Sequence, residues 1–166
     1  MHILINKKYL TYKQYKVKCA VGKRGIGLKK KEGDLITPIG QYKIKHVLYR
    51  KDRIKKIQSK LRKIKIKRNM GWCDDPRSEK YNQLINLPFN YSHEKLFQKE
   101  NIYDIVLVLN FNMKPIKKNK GSAIFIHIAK KNYKKTEGCI AIKKIELLKI
   151  IKEIKINTKV KIEHQK

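Results

Sequence analysis

The sequence predicts a mainly β fold with few helices, built as a β-sandwich or partly closed barrel with one amphipathic helix towards its C-terminal end. Three observations carry this. Short runs with period-two alternation recur along the chain, as in Val17, Cys19 and Val21 against Lys16, Lys18 and Ala20. Ile105-Val106-Leu107-Val108-Leu109 is apolar on both faces, as a central strand must be. Only Ile145, Leu147, Leu148, Ile150, Ile151 and Ile154 recur at helical spacing over several turns.

Taken in order, His2 to Leu10 and Tyr15 to Val21 read as two strands around a polar turn at Lys13-Gln14. Gly22-Lys23-Arg24-Gly25-Ile26-Gly27 then interrupts regular structure. It lacks the terminal Gly-Lys-Ser/Thr of a phosphate loop and no helical pattern follows, so nucleotide binding is not expected there. Lys29 to Gly40 reads as loop. Tyr42 to Tyr49 reads as a strand with Tyr42, Ile44, His46 and Leu48 on one face, His46 as a packing residue. Lys51 to Lys60 reads as a turn or short helix, and Leu61 to Lys67 as an edge strand whose lysines discourage edge-to-edge pairing. Ser92 reads as the cap of a short helix over His93 to Gln98, with Glu94 in its first turn. Tyr103 to Asn110 and Ala123 to Ala129 read as strands, and Val160 and Ile162 mark a final short one.

The chemistry concentrates in Ala123 to Ile142. His127 lies near the C-terminal end of an apolar run, a polar loop follows, and Cys139 stands after Gly138 before apolar residues resume. A thiol with an ordinary pKa near 8.5 needs an imidazole, positive potential or exposed amides to act as a nucleophile at neutral pH. His127 offers the imidazole, Lys130, Lys131, Lys134 and Lys135 the potential, and the amides of Gly138 and Cys139 an oxyanion site. On spacing alone two readings are open: a nucleophile with its base, or a small buried thiol beside a packing histidine.

Other stretches bear on that choice. His127 followed by Thr136-Glu137-Gly138-Cys139-Ile140 resembles the signature of the L,D-transpeptidase catalytic domain, the YkuD-like family. So, in order, do Glu32-Gly33-Asp34, Thr37-Pro38-Ile39-Gly40, Val47-Leu48-Tyr49-Arg50, Gly71-Trp72-Cys73-Asp74-Asp75-Pro76, Tyr81-Asn82, Leu87-Pro88-Phe89, Tyr103-Asp104 and Gly121-Ser122-Ala123-Ile124-Phe125. The resemblance implies one catalytic domain over residues 1–166, with Cys139 as nucleophile, His127 as base and Gly138 in the oxyanion turn. Thr136, Glu137, Trp72, Asp74 and Asp75 are then expected on the substrate side, where a carboxylate meets a substrate amine. From the residues alone, Asp74 and Asp75 suit a turn before Pro76 better than a glycosidase dyad, since adjacent side chains diverge. The implied reaction is acyl transfer from a peptidoglycan stem peptide through a thioester to an acceptor amine, with hydrolysis by the same residues as the alternative. Many members carry His before the Gly-Cys pair and Arg two residues after it. Glu137 and Ala141 stand there in this chain, removing side chains that line the donor site in those members.

Composition sets the remaining expectations. The formal net charge is +30 over 166 residues, with 41% hydrophobic residues, enough for a core. The basic residues are nearly all Lys, with Arg only at 24, 50, 53, 62, 68 and 77, and they are spread along the chain. Nucleic-acid readers concentrate charge and exploit the Arg fork, so nucleic acid is not the expected partner; a solvated basic surface, or attraction to anionic wall polymers, fits better. A non-catalytic basic binder is the reading from a different class. Three cysteines, Cys19, Cys73 and Cys139, leave a Cys19–Cys73 bridge open, although two separate thiols suit them better, and none has zinc-ligand spacing. No metal or cofactor is expected, and the chain reads as a monomer. The N-terminal residues lack the pattern of a signal peptide, whereas the resemblance implies the cell envelope.

Overall fold

A computed structural model describes residues 2–164. The strands are β1 (His2–Ile5), β2 (Tyr9–Tyr12), β3 (Tyr15–Lys18), β4 (Ile26–Gly27), β5 (Thr37–Pro38), β6 (Gly40–Tyr49), β7 (Lys63–Lys65), β8 (Met70–Cys73), β9 (Leu84–Asn86), β10 (His93–Lys95), β11 (Ile105–Leu109), β12 (Phe125–Ile128), β13 (Ile140–Ile142) and β14 (Lys159–Ile162). One α-helix, α1 (Lys144–Glu153), follows β13, and a single 3-10 turn covers Lys131–Tyr133. The main sheet runs β13-β12-β11-β6-β14-β1-β2-β3, with β7 added along β6; β10-β8-β9 form a small second sheet and β4-β5 a third.

The two ends of the main sheet meet. Ala20, just beyond β3, exchanges both backbone hydrogen bonds with Ala141 of β13, at 2.8 and 2.9 Å. The sheet is therefore a nearly closed barrel, mainly β with a single helix. Its interior holds Ile3, Ile5, Leu10, Val47, Ile105, Leu107, Ile126, Ile128 and Val160, sealed by Leu147, Ile150 and Ile151 of α1. Alternate residues of the same central strands, Leu48, Val106, Val108 and Phe125, turn outwards to a second core under the small sheet, with Trp72, Leu96 and Tyr103. Burial of both faces explains why β11 carries no polar residue.

Four local expectations differ. The first strand breaks in two because the Asn6 carboxamide accepts the amides of Lys8 and Tyr9, at 2.9 and 2.8 Å, and folds a tight turn. The paired register of β6 skips Lys45, since Val108 pairs with His46 and Leu109 with Ile44. This bulge reverses the alternation, so Ile44 faces the barrel interior with Val47 while Leu48 faces the second core. The helix expected after Ser92 is instead β10, paired with β8; six residues are too few for periodicity to separate helix from strand, and Trp72 opposite Glu94 decides it. Ile145 is 63% exposed, leaving the buried stripe of α1 narrower than its apolar residues suggest. The open bridge question also closes: Cys19, Cys73 and Cys139 are all free. Among the described residues no helix is long and apolar enough to cross a membrane.

Candidate active site

β12 and β13 run parallel, with His127 opposite Ala141. Side chains two apart share a face, so Cys139, two residues before Ala141, and His127 both look to the second-core side. The same register carries Phe125 opposite Cys139, and its amide reaches the Cys139 sulfur at 3.4 Å. The thiol donates to the Ala123 carbonyl at 3.0 Å. His127 Nδ1 lies 2.9 Å from the Ile128 carbonyl, which accepts only, so Nδ1 carries the proton and Nε2 is left as the acceptor. Tyr103 packs edge-on against the imidazole with ring centroids 5.4 Å apart.

Both reactive groups line one cavity of about 420 Å³. Burial pushes the Cys139 thiol up to about 12 and the His127 imidazole down to about 4, so the resting pair is neutral. The histidine has a consequence for stability. An imidazole that titrates near 6.5 unfolded and near 4 folded contributes stability that is present above pH 6.5 and lost as pH falls through 4. The shift corresponds to about 3 kcal/mol by pH 4. Denaturant midpoints measured from pH 7 to pH 4 should fall accordingly, and His127→Gln should flatten that dependence.

The turn before Cys139 is held from two directions. Thr136 Oγ1 donates to the Cys139 carbonyl at 2.6 Å and accepts the Gly138 amide at 3.2 Å. Thr37 Oγ1 donates to the Gly138 carbonyl at 2.8 Å and accepts the Gly22 amide, also at 2.8 Å. The Gly138 amide, expected with that of Cys139 as an oxyanion donor, is engaged by Thr136. Gly138 has φ +145°, and a Cβ there would lie 3.0 Å from the Ile36 carbonyl.

A second segment, Gly121 to Ala123, flanks the sulfur on its other side. Tyr81 accepts the Gly121 amide at 2.9 Å and donates to Glu32, and Asn82 Oδ1 accepts both the Ala123 amide and the Trp72 indole N–H at 3.1 Å. The Tyr81-Asn82 pair therefore positions the carbonyl that accepts the thiol's hydrogen bond.

The expected substrate-side residues separate into two groups. Thr136, Glu137, Gly138 and Asp74 line the cavity with Cys139 and His127. Glu137 is at the rim, 3.5 Å from Lys23. Trp72 and Asp75 lie outside it. Trp72 is buried against Phe125 at 5.2 Å between ring centroids, and so backs the histidine strand. The Asp75 carboxylate accepts the Arg77 amide and guanidinium and the Ser92 amide; Arg77 holds it well below the usual range, so it serves the turn. His46 is a packing residue outside the cavity, with Nε2 buried and unpartnered.

Sequence reasoning missed Glu94 and Lys29. Glu94 lines the cavity from β10, accepting the Tyr103 hydroxyl at 3.1 Å, and burial, with Asp74 nearby, raises its pKa. Asp74 Oδ1 is buried without a hydrogen-bond partner. Lys29 forms a fully buried ion pair with Asp34 at 2.6 Å. Nothing in a run of three lysines singles out the buried one. Among the described residues no cluster of three ligating side chains could hold a metal ion.

The chain covers 99% of its own length and 47% of the partner's in superposition on the crystal structure of the helical cell shape determining protein Pgp2 from Campylobacter jejuni, with a TM-score of 0.53 and 18% identity. A point mutant of Pgp2 gives the same TM-score at 17% identity. The chain thus spans about half the length of these structures, and the likeness concerns the fold. None of the curated proteins matches the sequence. The family model of the L,D-transpeptidase catalytic domain matches residues 2–162, nearly the whole chain, and includes the His127 strand and the Cys139 turn just described. The chain belongs to the L,D-transpeptidase catalytic domain family, whose enzymes are cysteine-dependent.

Proposed function

We propose that the protein is a peptidoglycan L,D-transpeptidase that moves an acyl group from a wall tetrapeptide stem, through a thioester on Cys139, to an acceptor amine. The observation that carries this is the shared cavity of Cys139 and His127, with Nε2 of the imidazole left as the base. As the sulfur attacks the carbonyl on the L-centre, the thiol proton passes to Nε2. Collapse of the tetrahedral intermediate breaks the C–N bond, and the terminal D-amino acid leaves with that proton. The acceptor amine then attacks the thioester, gives its proton to His127, and releases the sulfur, which is reprotonated. The Cys139 amide is the first oxyanion donor; the Gly138 amide joins it only by leaving Thr136.

Glu94 and Asp74 favour transfer over hydrolysis, because two carboxylates on the cavity wall attract a cationic amine rather than water. Glu94→Gln and Asp74→Asn should each raise KM for the amine acceptor about tenfold with smaller effects on thioester formation, read as adduct accumulation by mass spectrometry. Incubation with disaccharide-tetrapeptide tests the whole reading. Cross-linked dimers with loss of one D-amino acid per bond support it, whereas shortened monomers alone assign the site to a carboxypeptidase. The cell envelope is the corresponding place of action, and the basic surface suits anionic wall polymers there.

A further inference from the structure

Among the described residues, Lys29 is the one lysine whose ammonium is both buried, at 3% exposure, and in the wall of the cavity shared by Cys139 and His127. Its Nζ has two acceptors, Asp34 Oδ1 at 2.6 Å and the Ile36 carbonyl at 3.3 Å, for three N–H groups. Its stem runs beneath Gly121, where any Cβ would overlap the Lys29 methylenes. Its Nζ lies 3.6 Å from where a Cβ on Gly138 would stand. Gly121 opens the segment whose Ala123 carbonyl accepts the thiol's hydrogen bond, and Gly138 precedes the sulfur. One cation therefore touches the supports on both sides of Cys139, and both supports carry glycine where it passes.

Asp34 fixes that cation in place. Its second oxygen accepts the amides of Lys30 and Lys31, and the first also accepts the Ile36 amide, so the loop from 29 to 36 is wound around one carboxylate. Burial alone opposes ionisation of Asp34, but Lys29 and these amides outweigh it and hold the carboxyl below its usual range. The same loop continues into Thr37, whose hydroxyl grips the Gly138 carbonyl.

We propose that Lys29 is a positioning residue of the acyl-transfer centre: its buried ammonium clamps the Gly121 and Gly138 segments around Cys139 and supplies the positive potential that favours the thiolate. The second half rests on the reading of Cys139 as nucleophile, and the electrostatics support it. Burial does most to oppose ionisation of the thiol and Glu94 and Glu137 add to it, while the Phe125 amide and, after it, Lys29 act in the opposite sense. A buried ion pair of this kind is often only a fold element, replaceable without loss. The two roles differ in sign when the partners are changed separately.

The test measures alkylation of Cys139 by iodoacetamide across pH 7 to 10, quantified on the Cys139 peptide so that Cys19 and Cys73 do not contribute, with thermal melts alongside. It needs no wall substrate, so it is independent of whether the enzyme transfers or hydrolyses. Lys29→Gln is expected to slow alkylation about tenfold at pH 8, and Lys29→Arg to restore most of the rate. Asp34→Asn, which keeps the ammonium and removes its countercharge, is expected to speed alkylation. Equal rates in Lys29→Gln and the wild type, or slowing by both Lys29→Gln and Asp34→Asn, would overturn the proposal and leave the pair a fold element. Should Lys29→Gln fail to fold, the direction of change in Asp34→Asn decides alone.

Discussion

Cys139→Ala protein mixed with disaccharide-tetrapeptide or a carbapenem should gain no mass, whereas the wild type is expected to gain one covalent acyl group. The sulfur is the partly exposed thiol of the three, since Cys19 and Cys73 are buried away from the cavity. Without it no thioester forms, and the turnover that remains should fall at least about 10⁴-fold, as for other removed nucleophiles. His127→Gln separates the roles. Its carboxamide fits the buried slot but takes no proton at neutral pH, so acylation should slow by about 10² to 10⁴-fold while the adduct, once formed, still sits on Cys139. An adduct of unchanged yield on Cys139→Ala would move the nucleophile elsewhere.

Gly138→Ala should lower both stability and rate without touching either reactive side chain. At φ +145° an L-residue is strained by about 1–3 kcal/mol, and the added methyl meets the Ile36 backbone carbonyl rather than a side chain free to swing aside. Relief requires the turn to lift, which pulls Gly138 away from Thr37 and Cys139 away from Ala123. A thermal midpoint lower by several degrees, together with a 10²-fold or greater loss of acylation rate, is the expected result. Thr37→Val, which deletes the hydroxyl and keeps the shape, should reproduce part of the rate loss.

The sequence carried the reactive pair because strand and turn signals are local: an apolar run delivers His127, and Gly138 before Cys139 makes the bend. The central strand at 105–109 and the helix after residue 143 were legible for the same reason. What local pattern does not carry is pairing at a distance. The bulge at Lys45 appears only when β6 meets β11, and it decides which face Leu48 takes. Glu94 looked like the first turn of a capped helix because nothing nearby says that Trp72 will lie opposite. Asp74 and Asp75, adjacent in sequence, diverge as expected of neighbours, one to the cavity and one to Arg77. Lys29 was hidden among its like, and only the two glycines that make room for it distinguish it.

The hydrogen bonds between Ala20 and Ala141 join segments far apart in sequence, and β1 pairs in parallel with β14. A ribosome adding residues in order releases β1, β2 and β3 long before either partner exists. Those three strands must wait, with Ile3, Ile5 and Leu10 uncovered, until residues beyond 160 emerge. Such non-local closure slows folding. It also means that the turn carrying Cys139 gains the backbone bonds that Ala20, Val21 and Lys23 make to Ala141 and Thr136 only when these distant segments meet.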